Sequence, residues 1–456
     1  MWLVTMLISS GCAELPGPAR GLLFGPVPPP PSRLTVRGSR LYDPSGGSIR
    51  LTGFNWVPKQ STGALELRDA AWSATLGSNV ARIVGVLWQN RKAGKDRELW
   101  DCATEEPPHF FNDSCFVWLD ELVEAATRSG QWVILAMRSK YGAGQDWRDA
   151  PGDNVFRNAT LRAQHHAVWR HVAAHYASFD GIAGYEVLAE PRDKNLTTQA
   201  VHDFYVSACA AAQGADPRTL CVVGTAPYYK LWTVSPSILM ENPLVLYTFD
   251  YFTPDSFVFG RSMFRDGGYN REYTCTRLYG GNPWAPMVCP TWNLSSVDDM
   301  LMLDYAFHQH NMYTYLAPLL NAQKPIFINQ WQVAHKVLAN ASVGGYDYIR
   351  DVMSLAQELG IGWCWWNIAG SKLVGGSTAP IIHYANGTTR VMQGLVDALV
   401  PYFDQAGGPQ NSDENRGLIL GDRYQASAGF GSIEDGCEVD DSAAASHFDS
   451  AEQESC

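Results

Sequence analysis

Short runs of near-continuous apolar, β-branched and aromatic residues recur along the chain, separated by polar stretches and by segments with helical hydrophobic spacing. The runs are Arg50–Trp56, Ala81–Leu87, Trp132–Arg138, Gly181–Pro191, Thr219–Tyr229, Leu244–Phe252, Pro325–Val333 and Gly360–Ala369. Unbroken apolar character, as opposed to strict alternation, belongs to strands covered on both faces, as in a parallel sheet. Helical spacing occupies Asp120–Arg128, Leu161–Ala177, Thr198–Ala212, Val297–Leu320 and Tyr346–Leu359. Strand and helix alternating eight times predict an α/β fold whose sheet closes on itself, a (β/α)8 TIM barrel. The barrel is expected over residues 34–405. Residues 1–33 read as a possible signal or leader with a Pro-rich linker, and 406–456 as a disordered, acidic low-complexity tail.

Composition narrows the picture. A 46% hydrophobic, 18% charged chain has ample material for a large core. The net charge is −12, and from Gly407 onward eleven Asp/Glu face two Arg, so −9 of it lies in the tail. The body is therefore near neutral, as suits an uncharged partner, and no basic stripe exists for nucleic acid. No apolar run reaches the roughly 18 residues that a membrane span needs. Six Asn-x-Ser/Thr sequons, at Asn112, Asn158, Asn195, Asn293, Asn340 and Asn386, point to a secreted or cell-surface glycoprotein. Cys102/Cys115, Cys209/Cys221 and Cys275/Cys289 are spaced as local couples and read as bridges of an oxidising compartment, with scattered free thiols as the alternative. None has zinc-like spacing, and Gly142-Ala-Gly144 lacks a following phosphate-loop lysine, so neither a metal nor a nucleotide cofactor is expected. Met1–Ala13 resembles a short signal core, and Cys437 and Cys456 are placed to pair within the tail.

The segment with most chemical content is Gly184-Tyr-Glu-Val-Leu-Ala-Glu190-Pro191. A carboxylate ending a buried strand, followed at once by proline, sits on the barrel rim, where the chemistry of such folds is built. The segment resembles the Asn-Glu-Pro signature of glycoside hydrolase family 5, the cellulase-like barrels, with Ala189 in place of the Asn. Leu51-Thr-Gly-Phe-Asn-Trp56, Asn79-Val-Ala-Arg82 and Gly362-Trp-Cys-Trp-Trp366 are similar to the family's first, second and closing strands. The resemblance implies an O-glycosyl hydrolase acting on a β-linked polysaccharide of the glucan or mannan class. Glu190 becomes the general acid/base, Arg82 a buttress of the nucleophile and Trp366 a sugar platform. Trp56, Tyr251, Trp331 and Arg138 are further candidate sugar contacts; Trp88, Trp284 and Trp292 are aromatic candidates for sugar subsites, with core packing as the alternative.

The pattern breaks at the nucleophile. Lys324-Pro-Ile-Phe-Ile-Asn-Gln330-Trp331 matches the strand that should end in Glu, and carries an amide there. The strand-three and strand-six His positions hold Arg138 and Asp250. A neutral carboxamide is a very poor nucleophile and cannot stabilise an oxocarbenium-like charge. Two expectations follow. In one, Glu190 is the acid and Asp250 the base on water, an inverting pair about 6.5–9.5 Å apart; the plainer version has Asp250 neutralising Arg138. In the other, the protein is catalytically silent and binds glycans through an aromatic cleft. Glu186, four residues before Glu190, is expected deeper in the barrel as ion-pair partner of Arg82 or Arg138.

Overall fold

A computed structural model describes residues 33–57, 72–88, 101–103, 111–139, 141, 154–193, 196–260, 268–279, 288–370, 379–385 and 388–403. The leader, the acidic tail with Cys437 and Cys456, sequons Asn195 and Asn386, and Trp284 lie outside them.

All eight expected strands form: β1 (Thr52–Trp56), β2 (Val80–Trp88), β3 (Trp132–Ser139), β4 (Ile182–Glu186), β5 (Leu220–Gly224), β6 (Val245–Tyr251), β7 (Ile326–Trp331) and β8 (Gly362–Trp365). Each pairs in parallel with the next, and β8 pairs with β1, so the sheet is a closed TIM barrel. The ends of the expected runs are trimmed. Val187–Glu190 is a bend, not strand, so the aim of Glu190 does not follow from strand alternation.

Around the barrel lie α1 (Ser114–Arg128), α2 (Ala159–Tyr176), α3 (Thr198–Ala215), α4 (Tyr305–Asn321), α5 (Gly345–Glu358) and α6 (Gln393–Leu399). Two expectations need correction. Between β5 and β6 there is no α-helix, only the 3-10 turns Leu231–Thr233 and Pro236–Ile238; Pro227, Pro236 and Pro243 leave no room there for an uninterrupted helical ladder. The helix expected from Val297 starts at Tyr305 under an Asp304 cap, because Met300–Leu303 alternates exposed and buried and pairs antiparallel with Arg271–Thr274.

Two apolar layers hold the fold. One lies between sheet and helices; the other fills the lower barrel with Val80, Ile134, Val222, Leu246, Phe327 and Cys364, and is capped by Leu34, Leu41 and Ile49 of the N-terminal strands. Arg33 is buried under that cap, 2.9 Å from Asp216. A cavity of about 340 Å³ beside Leu41, Ile49 and Leu246 belongs to this end, opposite the rim. The three cysteine couples are disulfides, tying the strand Asp101–Ala103 to α1, α3 to β5, and the two ends of an excursion after β6. No described helix is long and apolar enough to cross a membrane.

Close backbone approach makes one glycine indispensable. A Cβ on Gly53 of β1 would lie 2.0 Å from the Val80 carbonyl of β2. Gly53→Ala is expected to destabilise the barrel by about 1–3 kcal/mol or more, the cost of overpacking, read as a lower midpoint in denaturant.

Candidate active site

The floor of the upper barrel is polar. Arg82 points inward from β2, fully buried, and donates to both oxygens of Glu186, Nε to Oε2 at 2.6 Å and Nη2 to Oε1 at 2.8 Å. Its Nη1 donates to Asn55 Oδ1 at 2.5 Å, and Asn329 Nδ2 donates to Glu186 at 3.0 Å. Burial works against the guanidinium charge, but Glu186 outweighs it and drives the Arg82 pKa up. Of the two partners expected for Glu186, the structure selects Arg82.

A bulge in β7 builds the next layer. Phe249 lies opposite Ile328 and Asp250 opposite Gln330, leaving Asn329 as an extra residue. Both Asn329 and Gln330 therefore address the interior, the first reaching Glu186 and the second directing Nε2 at Asp250 Oδ2, 3.4 Å away. Bulges re-aim side chains in this way beside active sites.

Glu190 comes from a strained turn. Its φ is 48°, left-handed and costly for a residue with a Cβ. The preceding carbonyls are clamped from outside the barrel. Val187 O accepts from Trp169 Nε1 and His165 Nε2, both at 2.8 Å, and Leu188 O accepts from Tyr229 Oη at 2.5 Å. The Ala189 amide donates to Met137 O at 3.0 Å. Burial pushes the His165 pKa down to about 3, so at neutral pH the ring is an uncharged donor to that carbonyl.

The two rim carboxyls lie near enough for each to shift the other's ionisation. Asp250 Oδ2 faces Gln330 Nε2 at 3.4 Å, and its Oδ1 has no hydrogen-bond partner. Burial and the neighbouring Glu190 raise the Asp250 pKa well above the usual range. Burial also disfavours ionised Glu190, but Arg138 and Arg192 overcome it and hold its pKa below the ordinary value. Ionisation is thereby favoured at Glu190 over Asp250. The expected roles, Glu190 as acid and Asp250 as base on water, run against these directions, which favour the charge on Glu190. Arg138 lies 3.9 Å from Glu190 and not against Asp250, and its guanidinium packs over Trp366 at 5.6 Å.

Three candidate sugar contacts leave the site altogether. Trp56, Tyr251 and Trp331 are fully buried in the layer between sheet and helices. Each follows an inward residue (Asn55, Asp250, Gln330), and strand alternation sends it outward. Tyr251 Oη shares a hydrogen bond with His308 Nδ1 at 2.7 Å and Trp331 packs edge-on to Trp363 and Trp365. Trp88 is likewise core, and Trp292 stacks on Phe307 and His310. Among the described candidate aromatics, Trp366 alone joins the rim, grouped with Val84 and Ala136. Residues not anticipated are Asn55, Asn329, His165, Trp169 and Tyr229, with Lys230, which lies 3.3 Å from Asp255.

A closed parallel barrel with paired carboxyls, an amide and arginines at the C-terminal ends of its strands has the build of a glycoside hydrolase. Residues 43–372 match the model of the cellulase family, glycosyl hydrolase family 5, and the chain belongs to that family. Similar solved structures include a glycoside hydrolase at 16% identity and TM-score 0.54, covering 78% of this chain and 99% of that one. An endoglucanase matches at 13% identity and TM-score 0.54 over 77% and 97%. Thermotoga maritima Cel5A in complex with mannotriose matches at 14% and 0.54 over 76% and 97%. At such identities the likeness is one of fold. No curated protein matches the chain.

Removing one partner of the buried ion pair strands the other. Glu186→Ala is expected to cost about 3–5 kcal/mol of stability, measured by chemical denaturation. Asp250 carries the opposite sign of pH dependence from an ordinary paired carboxylate. Its folded pKa is raised, so its contribution is full below the unfolded value near 4 and is lost as pH rises towards the folded value. Asp250→Asn should therefore raise the melting temperature more at pH 7 than at pH 4; an equal shift at both would contradict the protonated assignment.

Proposed function

We propose that this family 5 protein binds β-linked glycan chains, of the glucan or mannan class, at the rim around Trp366, Glu190 and Arg138, and does not perform the two-carboxylate hydrolysis of its family. The observation that carries this reading is the amide of Gln330 at the position where the family resemblance puts the nucleophile. No anion is there to attack the anomeric carbon or to face an oxocarbenium-like charge. The proton is misplaced as well. A general acid contributes about 10²–10⁴-fold, yet Glu190 at the acid/base position is held ionised by Arg138 and Arg192. The substrate class rests on neighbours described as an endoglucanase and as a mannotriose complex. Three disulfides and six sequons support work in an oxidising, extracellular setting.

A second reading has one specific observation in its favour. Protonated Asp250 beside ionised Glu190 is an acid–base pair, and an O-glycosyl hydrolase drawing on it would use Asp250 as proton donor and Glu190 as base once a substrate parts the two.

The readings separate on turnover. The purified full chain is expected to be retarded by immobilised cello- or manno-oligosaccharide while releasing no reducing sugar from β-glucan or β-mannan between about pH 4 and 8, the span in which carboxyl pairs change state. Gln330→Glu should gain slow hydrolysis with net retention. Release of reducing sugar by the unaltered protein, abolished by Glu190→Gln, would overturn the binding-only reading and leave the second.

A further inference from the structure

Two of the six sequons are held in folded geometry beside the rim. Asn158 opens α2, and its Oδ1 accepts from the Thr160 amide at 2.9 Å and the Leu161 amide at 3.2 Å. Asn340 stands in the connection from β7 to α5; its Oδ1 accepts from the Ser342 amide at 3.1 Å and from Ser342 Oγ at 2.7 Å. In both, the oxygen is engaged and the nitrogen is not: neither Nδ2 donates to a described residue. An N-linked sugar is attached through that nitrogen and the amide keeps its carbonyl oxygen, so turn and glycan are compatible. Thr160, Asn340 and Ser342 are exposed and Asn158 half-exposed. Asn112 and Ser114, by contrast, are both half-buried, and Asn293 lies on the flank of α4, next to the Trp292 ring stacked on His310.

Topology puts these two positions across from each other. Asn158 follows β3 and Asn340 follows β7, strands that lie four apart either way round the closed barrel. Both stand at the C-terminal ends of the strands, the end that carries the rim. Asn158 is tied to the Glu190 turn through its neighbours. Asn154 Nδ2 donates to Asp193 Oδ2 at 3.0 Å, Arg157 Nη2 lies 2.8 Å from the same oxygen, and Asp193 follows Glu190 closely in the chain. On the far side Asn340 follows the short helix His335–Leu338, anchored where the Ala334 amide donates to Val258 O at 2.8 Å. By chain position, none of the six sequons falls between a helix and the strand after it.

We propose that Asn158 and Asn340 carry N-linked glycans, and that these stand as two posts on opposite sides of the rim, admitting a free glycan chain to Trp366 and holding a packed polysaccharide surface off. The second half rests on the glycan-binding reading above and names the physical form of its ligand. An N-linked glycan is bulky and hydrated. A single oligosaccharide passes between two such chains and leaves both free to move. A flat polysaccharide face would have to order both, and ordering flexible groups at an interface costs free energy.

The test uses the full chain secreted from a eukaryotic host. Release of glycans by an amidase converts each glycosylated Asn to an acid, and peptide mapping should find Asn158 and Asn340 converted in most molecules. Thr160→Ala combined with Ser342→Ala removes both sequons yet keeps the backbone amides that bond Asn158 and Asn340, so the turns survive. Soluble cellohexaose and mannohexaose are then titrated by calorimetry, and insoluble cellulose and mannan are used in co-sedimentation. Equal affinity for the soluble chains is expected in both proteins, with several-fold more of the double variant in the insoluble pellet. Trimming the unaltered protein with an endoglycosidase should reproduce that gain without any substitution. An unmodified Asn158 or Asn340 would overturn the inference, as would a trimmed protein that sediments no more than the glycosylated one; soluble chains that still bind would leave the glycan-binding reading standing. Soluble chains that bind neither protein would overturn that reading, and with it the role given to the posts.

Discussion

A guanidinium on the axis of a barrel has to be neutralised where it stands, and the upper half of this molecule is arranged around that requirement. Arg82 of β2 is met by Glu186 of β4 and Asn55 of β1, and Glu186 in turn by Asn329 of β7. Strands distant in sequence are thereby joined at one level. Below it the barrel is apolar and closed by the N-terminal strands. Above it the side chains differ from an ordinary core in being ionisable, close together and only partly balanced. An ion pair of this kind is weak evidence for stability, since its desolvation is expensive; its consequence here is geometric. Asn329 reaches Glu186 only because β7 bulges, and the same bulge brings Gln330 to face Asp250.

The rim then follows electrostatic logic. Two neighbouring carboxyls in a desolvated place resist ionising together. The arginines favour the charge on Glu190, while burial and Glu190 push the Asp250 pKa up. Gln330 adds no charge and directs its amide at Asp250. A retaining glycosidase needs a carboxylate nucleophile and a separate protonated acid about 5–5.5 Å apart. Here the rim sets Gln330 opposite Asp250 and favours the charge on Glu190. The barrel is that of the family, and the proposed function is that its rim holds a glycan.

Much of this was legible in the chain. Unbroken apolar runs revealed all eight strands, and the cysteine couples revealed three bridges, because both signals are local. Gln330 and Glu190 stood out by resemblance to the family. What escaped depended on direction. Trp56, Tyr251 and Trp331 look like sugar platforms on a rim, but each neighbours an inward residue and so faces the helices. The bulge at Asn329 leaves no mark in a sequence, nor does the left-handed turn at Glu190, which is enforced by His165, Trp169 and Tyr229 from elements far along the chain. Protonation states were further out of reach, since they depend on three cations and two carboxyls meeting from several loops.

The proposed function rests on a rim whose neighbouring carboxyls carry one negative charge, on Glu190, and one proton, on Asp250. Carboxyl-carbon NMR of the full chain, comparing the unaltered protein with Asp250→Asn and Glu190→Gln, measures it directly. The account predicts that at about pH 6, some two units above an ordinary aspartate, the Asp250 signal is still that of a carboxylic acid and the Glu190 signal that of a carboxylate. Finding both ionised at that pH would contradict it; finding the proton on Glu190 with Asp250 charged would contradict it and restore Glu190 as a working general acid.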